Sequence, residues 1–221
     1  MKKFIISIDQ GTTSSRVILF NINGKIEFIS KYEFKQYFPK NGWVEHNPNE
    51  IWSTTLKALK QVISKANKIK GHILCIGIAN QRETSILWNK KTGKPIYNAI
   101  VWQDRRTQQY CKNLKNKKNE NFFRKKTGLF IDPYFSATKI KWILDNVKVS
   151  KKLLKSNNLL FGTVDTFLIW KLTNGKKHLT EATNASRTML FNINTNQWDK
   201  EILKKLNIPK KILPKVKNSA D

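Results

Sequence analysis

The sequence has 221 residues, of which 39% are hydrophobic, and a formal net charge of +27. This length allows one large domain or two small ones with a sizeable core, and no apolar run approaches the roughly 18 residues that span a membrane. Of the 42 basic residues, 36 are lysines spread over the whole chain. This argues against a specific nucleic-acid interface, because such interfaces depend on arginine.

The first half of the sequence predicts an antiparallel meander followed by a helix. Apolar runs of strand length at residues 4–8 and 17–20 flank a short polar turn, and a third strand is expected over residues 25–30. Because Asp9 interrupts the first apolar run at once, we expect the N-terminus to be a strand and not a leader peptide. Asn47 and Pro48 predict the start of a helix that continues to about residue 67.

The second half predicts strands alternating with helices. The apolar run at residues 73–79 is typical of a strand buried on both faces, and further strands are expected at 86–88, 96–102 and 159–162. Helices are predicted at about 105–114, 135–147, 164–172 and 198–206, whereas residues 116–121 have the composition of a charged connector. This order of elements indicates a mixed α/β domain, with helices flanking a mixed sheet.

The two cysteines, Cys75 and Cys111, are far apart and have no metal-binding spacing. Cys75 lies in an apolar run, so we expect a buried thiol there. Unpaired cysteines suit a reducing compartment, and we expect a cytoplasmic protein.

The polar turn after the first strand is the strongest candidate for a functional site. Asp9 ends the strand, Gly11 allows a sharp turn, and residues 12–15 are four consecutive hydroxyl side chains. Such a turn can surround a phosphate with N–H and O–H donors. The carboxylate beside it can hold Mg²⁺, which prefers one or two carboxylates plus phosphate oxygens. An ordinary polar hairpin is the alternative interpretation of the same residues.

A second candidate site follows the apolar run at residues 73–79. Open α/β sheets bind ligands beyond the carboxyl ends of their strands, and Arg82-Glu83 lies at such a position. Glu offers two acceptors and Arg a planar set of donors, which together suit two adjacent hydroxyls of a polyol. The alternative is a structural ion pair. Trp102 could form an apolar wall and Tyr134 could donate a phenolic hydroxyl, although packing alone also explains each of them.

Common nucleotide-binding and catalytic motifs are missing from the sequence. It contains no Gly-x-x-x-x-Gly-Lys-Ser/Thr loop, no Gly-x-Gly-x-x-Gly fingerprint and no Gly-x-Ser-x-Gly elbow. The three histidines are far apart in the sequence. If the chain handles a nucleotide, we expect it to use the hairpin.

Six stretches together resemble the FGGY family of carbohydrate kinases, and within it the glycerol kinases in particular. The resemblance implies an actin-like or ribonuclease-H-like fold and the ATP-dependent phosphorylation of glycerol to sn-glycerol 3-phosphate. The stretches that carry it are residues 9–16, 80–84, 97–106, 128–134, 161–166 and 183–192.

The resemblance also implies roles for individual residues, with ATP and Mg²⁺ as cofactors. Asp9 would serve the Mg²⁺ ion and position the phosphate. The residues facing the nucleotide phosphates would be Thr12, Thr13, Ser14 and Arg16. The residues holding the glycerol hydroxyls would be Arg82, Glu83 and Tyr134, with Trp102 against the carbon atoms.

The sequence departs from the family pattern in its length, because glycerol kinases are roughly twice as long. We therefore expect residues 1–221 to be an N-terminal lobe that is incomplete at its C-terminal end. The second lobe and the family's catalytic-base aspartate would be absent, so the chain alone should have little activity. Its partners could be a separately encoded second lobe or further copies of itself. The alternatives are a non-catalytic remnant and a kinase for another polyol or sugar.

Overall fold

The computed structural model describes residues 2–220. The chain forms two compact units: the first comprises the residues up to Gln36 with His46–Gln81, and the second comprises Tyr37–Glu45 with the chain from Arg82 onward. The strands are β1 (Lys2–Gln10), β2 (Ser14–Asn21), β3 (Ile26–Glu33), β4 (Gln36–Tyr37), β5 (Glu45–His46), β6 (Gly71–Asn80), β7 (Ile86–Asn89), β8 (Ala99–Ile100), β9 (Leu159–Gly162), β10 (Leu179–Glu181), β11 (Phe191–Asn192), β12 (Gln197–Trp198) and β13 (Lys215–Lys217). The helices are α1 (Pro48–Lys68), α2 (Gln108–Leu114), α3 (Lys117–Thr127), α4 (Ser136–Asn146), α5 (Lys148–Lys155), α6 (Val164–Leu172), α7 (Ala182–Ser186) and α8 (Lys200–Leu206), with a 3₁₀ turn at Lys210–Ile212.

The first unit contains a four-stranded sheet that packs against α1. Its strands are ordered β3-β2-β1-β6, with antiparallel β1–β2 and β2–β3 pairs and a parallel β1–β6 pair. Alternate residues of β1 (Phe4, Ile6 and Ile8) are buried, as are Val17 and Leu19 of β2. Successive side chains of a strand point to opposite faces, so these residues form one apolar face. The predicted opening meander is therefore confirmed.

Helix α1 begins where the sequence predicts. The Asn47 side chain accepts a hydrogen bond from the Asn49 N–H at 2.9 Å, and Pro48 occupies the first turn, where its missing N–H costs nothing. Ile51, Val62 and other apolar residues of one helix face are buried. Burial of this apolar face against the sheet supplies most of the stability of the helix.

Strand β6 contradicts the predicted burial on both faces. Leu74 is 48% exposed and Ile76 is 43% exposed, and the Cys75 thiol is exposed instead of buried. Among the described residues, β6 pairs only with β1, so it is an edge strand of the sheet. An apolar run alone cannot distinguish a central strand from an edge strand, which explains the wrong prediction.

The second unit contains a large apolar core. Its small sheets include β7-β9, β10-β13 and β11-β12. The core takes side chains from strands and helices alike, including Leu87, Phe123, Ile140, Phe161 and Ile202. Their separation in sequence means that the long-range packing of helices on short strands stabilises this unit.

Two predictions for the second unit need correction. Residues 116–121 are not a connector but belong largely to α3. The Asn116 side chain accepts from the Asn119 N–H at 2.9 Å to cap this helix, and Phe123 anchors it in the core. Most charged residues of α3, including Lys117, Lys118, Arg124 and Lys125, are exposed, so the charged composition of residues 116–121 did not indicate a short capped helix. The strand predicted at residues 96–102 is reduced to β8.

The remaining features agree with a mixed α/β class. The strands predicted at 86–88 and 159–162 form β7 and β9, and the helices predicted at 135–147 and 164–172 form α4 and α6. Helix α5 was not predicted. Within residues 2–220, no helix is both long and apolar enough to cross a membrane.

Candidate functional site

The β1–β2 turn contains the residues that we predicted to bind phosphate. The Gly11 N–H donates to the Ser14 carbonyl at 2.9 Å, which closes the turn. The Thr13 side chain is exposed, and Thr12 and Ser14 are partly buried. Thr13 is therefore the most accessible of these three hydroxyl residues.

The fourth consecutive hydroxyl has a different environment. Ser15 is fully buried, and its Oγ lies 2.9 Å from the Thr54 hydroxyl and 3.1 Å from the Thr55 hydroxyl of α1. These contacts fasten the start of β2 to the helix. Ser15 therefore supports the turn, whereas the three preceding hydroxyls lie within it.

Asp9 and Arg16 face each other across the base of the turn. They are opposite in the β1–β2 register and form an ion pair. Because their side chains are 38% and 47% exposed, the pair stabilises the fold by less than about 1 kcal/mol. The pairing leaves a carboxylate and a guanidinium side by side at the mouth of the turn.

A magnesium ion at Asp9 would have few protein ligands. In the part of the chain that the structure describes, no group of three or more His, Cys, Asp or Glu residues could hold a metal. Mg²⁺ commonly keeps several waters and binds through one or two carboxylates plus phosphate oxygens. A single carboxylate beside the β1–β2 turn therefore fits an Mg²⁺ ion only if waters and phosphate oxygens supply the other ligands.

Glu83, three residues after the end of β6, has an unusual backbone conformation. Its φ is +61°, in the left-handed region that residues with a Cβ atom rarely adopt. The Thr84 N–H donates to the Arg82 carbonyl at 2.7 Å, and the Ser136 hydroxyl donates to the Glu83 carbonyl at 3.0 Å. Such strain costs on the order of 1–3 kcal/mol and concentrates at functional sites.

The Glu83 carboxylate is buried and paired, but not with its neighbour. Arg187 Nε donates to Glu83 Oε1 at 2.5 Å. Arg82 is exposed and takes part in no ion pair among residues 2–220. Glu83 does form a structural ion pair, as the alternative interpretation expects, but its partner is Arg187 and not Arg82. The Arg82 guanidinium faces solvent.

Trp102 and Tyr134 lie together, as a shared site requires. Their ring centroids are 5.5 Å apart, and both rings line a cavity of about 530 Å³. The Tyr134 N–H donates to Asp132 Oδ1 at 2.8 Å, which fixes the loop before α4. The Arg187 guanidinium lies 5.7 Å from the Tyr134 ring, so it connects the aromatic pair to Glu83.

Lys139 lies beneath these residues and is completely buried. Its Nζ donates to the Tyr134 carbonyl and lies 3.5 Å from the carbonyls of Glu83 and Phe135. Burial lowers the pKa of Lys139 from 10.5 to about 7, although the nearby carboxylates, Asp104 foremost, oppose the shift. The lysine thus joins the Glu83 turn to the Tyr134 loop.

Asp104, which follows Trp102 closely in sequence, has a structural role. Its carboxylate accepts from Arg106 Nη2 at 2.8 Å and from the Val44 N–H at 2.7 Å. Arg106 also donates to Glu45 at 2.7 Å and lies 3.8 Å from the Trp43 ring. These buried contacts give Asp104 a structural role at the cavity that Trp102 and Tyr134 line.

The sequence interpretation missed two residues at the second site. Lys139 falls four residues after Phe135 and four before Ile143, so it lies on the buried face of the predicted helix. A lysine on the buried face of a helix indicates a buried charge with nearby polar partners, so the sequence could have identified Lys139. Arg187 gave no comparable signal, because nothing local relates it to Glu83.

Comparison with known protein families extends these observations. The model of the N-terminal domain of the FGGY family of carbohydrate kinases matches residues 4–221. A glycerol kinase of Geobacillus sp. (strain WCH70) is 58% identical over 221 residues, which are 100% of this chain and 45% of that protein. A glycerol kinase of Petrotoga mobilis is 56% identical over 220 residues, covering 44% of its length. The chain thus spans less than half the length of these curated relatives.

Two solved structures that superpose on the chain are also carbohydrate kinases, of which it again covers less than half. Plasmodium falciparum glycerol kinase with ADP superposes with a TM-score of 0.92 at 40% identity, over 98% of this chain and 43% of that one. Gluconate kinase from Lactobacillus acidophilus superposes with a TM-score of 0.85 at 27% identity, over 98% and 42% respectively. The chain has the fold of these kinases, so the predicted actin-like or ribonuclease-H-like class is confirmed.

Proposed function

Because the chain belongs to the FGGY family of carbohydrate kinases, we propose that it is the N-terminal lobe of an enzyme that phosphorylates glycerol with ATP. The observation that carries the choice of glycerol is the identity of 54–59% to glycerol kinases along nearly the whole chain. The gluconate kinase reaches only 27%. The product would be sn-glycerol 3-phosphate.

We assign glycerol to the site around Glu83. Arg187 occupies Glu83 Oε1, whereas Oε2 has no hydrogen bond among residues 2–220 and can accept one from a substrate hydroxyl. The exposed Arg82 guanidinium can donate to a neighbouring hydroxyl. The Trp102 ring suits the carbon side of a polyol, and the Tyr134 hydroxyl supplies a further polar contact.

We assign the nucleotide phosphates to the hairpin. The donors would be the N–H and hydroxyl groups of Thr12, Thr13 and Ser14, together with the Arg16 guanidinium, and Asp9 would hold Mg²⁺. Bound Mg²⁺ would neutralise charge that develops on the phosphate oxygens. Phosphoryl transfer requires mainly positioning and charge neutralisation, which this set of residues can provide.

We assign no general base to this chain. The relatives are more than twice as long as the matched part, so we propose that turnover requires the portion of a kinase that the chain does not cover. That portion could be a separate polypeptide or part of a longer product. The two free cysteines support the expectation of a reducing, cytoplasmic setting.

Glycerol binding to the labelled chain tests the substrate assignment. We expect glycerol to shift the NMR signals of the Trp102 indole N–H and the Glu83 amide, with a dissociation constant in the millimolar range. Gluconate and xylulose should shift them less. The matched control is Glu83→Gln, which keeps the size of the side chain but loses the charge and should bind at least about tenfold more weakly.

Two results would contradict the proposal. If glycerol leaves both signals unchanged while the chain is folded, the site is wrong. If gluconate or xylulose shifts them more strongly than glycerol, the chain is a kinase lobe for another substrate.

A further inference from the structure

A buried polar network lies behind the hairpin turn and has no role in the function proposed above. Gln10 and His46 are completely buried, and Gln81 is 7% exposed. Gln36 is partly buried beside them. Burial of so many polar groups is costly unless each is hydrogen-bonded, so the network must offset this cost by its contacts.

The contacts of Gln81 fix the direction of the hydrogen bonds. Its Nε2 lies 3.1 Å from both Gln10 Oε1 and the Gly11 carbonyl, and two oxygen acceptors identify that atom as the amide nitrogen. The same nitrogen lies 3.3 Å from His46 Nδ1. Because an amide nitrogen only donates, His46 Nδ1 can only be the acceptor in this longer contact, which shares one of the two Gln81 N–H groups with an oxygen acceptor.

The protonation state of His46 then determines which ring nitrogen donates on the opposite side of the ring. Burial lowers the pKa of His46 to about 4, although Glu50 opposes the shift, so the ring is neutral near pH 7. A neutral ring that accepts at Nδ1 carries its proton at Nε2. Nε2 therefore donates to Gln36 Oε1 at 2.5 Å, which turns the Gln36 amide nitrogen to the Thr12 carbonyl at 2.9 Å.

Two consecutive carbonyls of the turn thus accept hydrogen bonds from side-chain amides of the buried network. Gln10 and Gln81 donate to the Gly11 carbonyl at 2.8 and 3.1 Å, and Gln36 donates to the Thr12 carbonyl. In a planar trans peptide the C=O and the following N–H point in opposite directions. The N–H groups of Thr12 and Thr13 therefore point away from the network, and consecutive N–H groups on one side form a site for anions.

We propose that His46 is a positioning residue that orients the hairpin N–H groups toward a bound phosphate. It acts through Gln36 and Gln81 and does not touch the ligand itself. This inference rests on the proposed function in one respect, since that function assigns the phosphate to the hairpin. The orientation of the turn is a property of the free chain and can be measured separately.

The test uses the ¹³C,¹⁵N-labelled 221-residue chain with inorganic triphosphate and Mg²⁺. A salt concentration of about 150 mM limits non-specific binding of polyanions to so basic a chain. The first measurement is the carbonyl ¹³C shift of Gly11 and Thr12 without ligand. The second is the triphosphate affinity from the Thr12 and Thr13 amide signals.

Three variants separate positioning from general stability. His46→Phe keeps a ring but removes both hydrogen bonds. We expect it to change the carbonyl ¹³C shift of Thr12 and to lower the affinity for triphosphate about tenfold. His46→Gln retains a donor near the position of Nε2 and should restore affinity to within about threefold. Gln36→Met removes only the amide and should act like His46→Phe. None should change the response to glycerol.

Several outcomes would overturn the inference. One is an unchanged Thr12 carbonyl shift and triphosphate affinity in a folded His46→Phe chain or, if that chain does not fold, in Gln36→Met. Equal losses of the triphosphate and glycerol responses would indicate general destabilisation instead. If triphosphate leaves the wild-type hairpin signals unchanged, the phosphate assignment fails, and the free-chain carbonyl shifts still decide whether His46 orients the turn.

Discussion

Arg187 Nε donates to the Glu83 carboxylate at 2.5 Å, although 104 residues separate the two in sequence. The adjacent Arg82 makes no such contact and is exposed. One arginine thus completes the fold around a buried carboxylate, while the other remains available to a ligand. The two arginines should respond differently to substitution.

Replacing these arginines separates stability from binding. Arg187→Gln leaves a buried carboxylate without its charged donor and should lower the free energy of unfolding by about 1–3 kcal/mol. Arg82→Gln should change it by less than about 0.5 kcal/mol while weakening the response to glycerol. Urea denaturation and the glycerol titration measure these effects. Equal destabilisation by both substitutions would contradict the distinction.

The buried Lys139 should make stability depend on alkaline pH. Its pKa falls from 10.5 to about 7 on folding, so between these values the unfolded chain binds more protons and stability rises with pH. Lys139→Met lacks this contribution. The free energy of unfolding of the wild type should therefore rise relative to that of the variant by about 1.4 kcal/mol per pH unit between roughly pH 7.5 and 9.5. Parallel pH curves for the two proteins in urea denaturation would rule out the shift.

The buried ion-pair network around Arg106 should be essential for folding of the second unit. Arg106→Met leaves Asp104 and Glu45 buried without their partner, with side-chain exposures of 0% and 3%, and should destabilise the chain by about 3–5 kcal/mol. The exposed neighbour Arg105 provides the control, since Arg105→Met should cost less than about 0.5 kcal/mol. Thermal unfolding distinguishes the two, and a mild effect of Arg106→Met would contradict the role of the network.

Substitutions in β6 and β1 test whether β6 is exposed at the edge of the sheet or buried, as its apolar sequence suggests. Leu74 is 48% exposed, so Leu74→Lys should change stability by less than about 0.5 kcal/mol. Ile6, on the adjacent strand, is completely buried, and Ile6→Ala should cost about 2–5 kcal/mol. Denaturant titration of both variants decides the matter. A large loss with Leu74→Lys would mean that β6 is covered in solution.

The local features of the chain were predictable from sequence. The hairpin after Asp9 and the cap at Asn47 depend on residues within a few positions of one another, and their chemistry can be recognised directly. The exposure of β6 was not predictable, because it depends on which strands lie beside it. The Glu83–Arg187 pair and the contacts of His46 with Gln36 and Gln81 depend on tertiary packing, which local pattern does not report.

The central claim is tested most directly by a coupled assay for ADP release with ATP, Mg²⁺ and glycerol. The chain is measured alone and after mixing with the part of the Geobacillus glycerol kinase that it does not cover. We predict little activity from either part, glycerol-dependent activity from the mixture, and a loss of at least about tenfold with Glu83→Gln. A mixture that forms a complex of folded parts but releases no ADP would contradict the account and indicate a non-catalytic remnant.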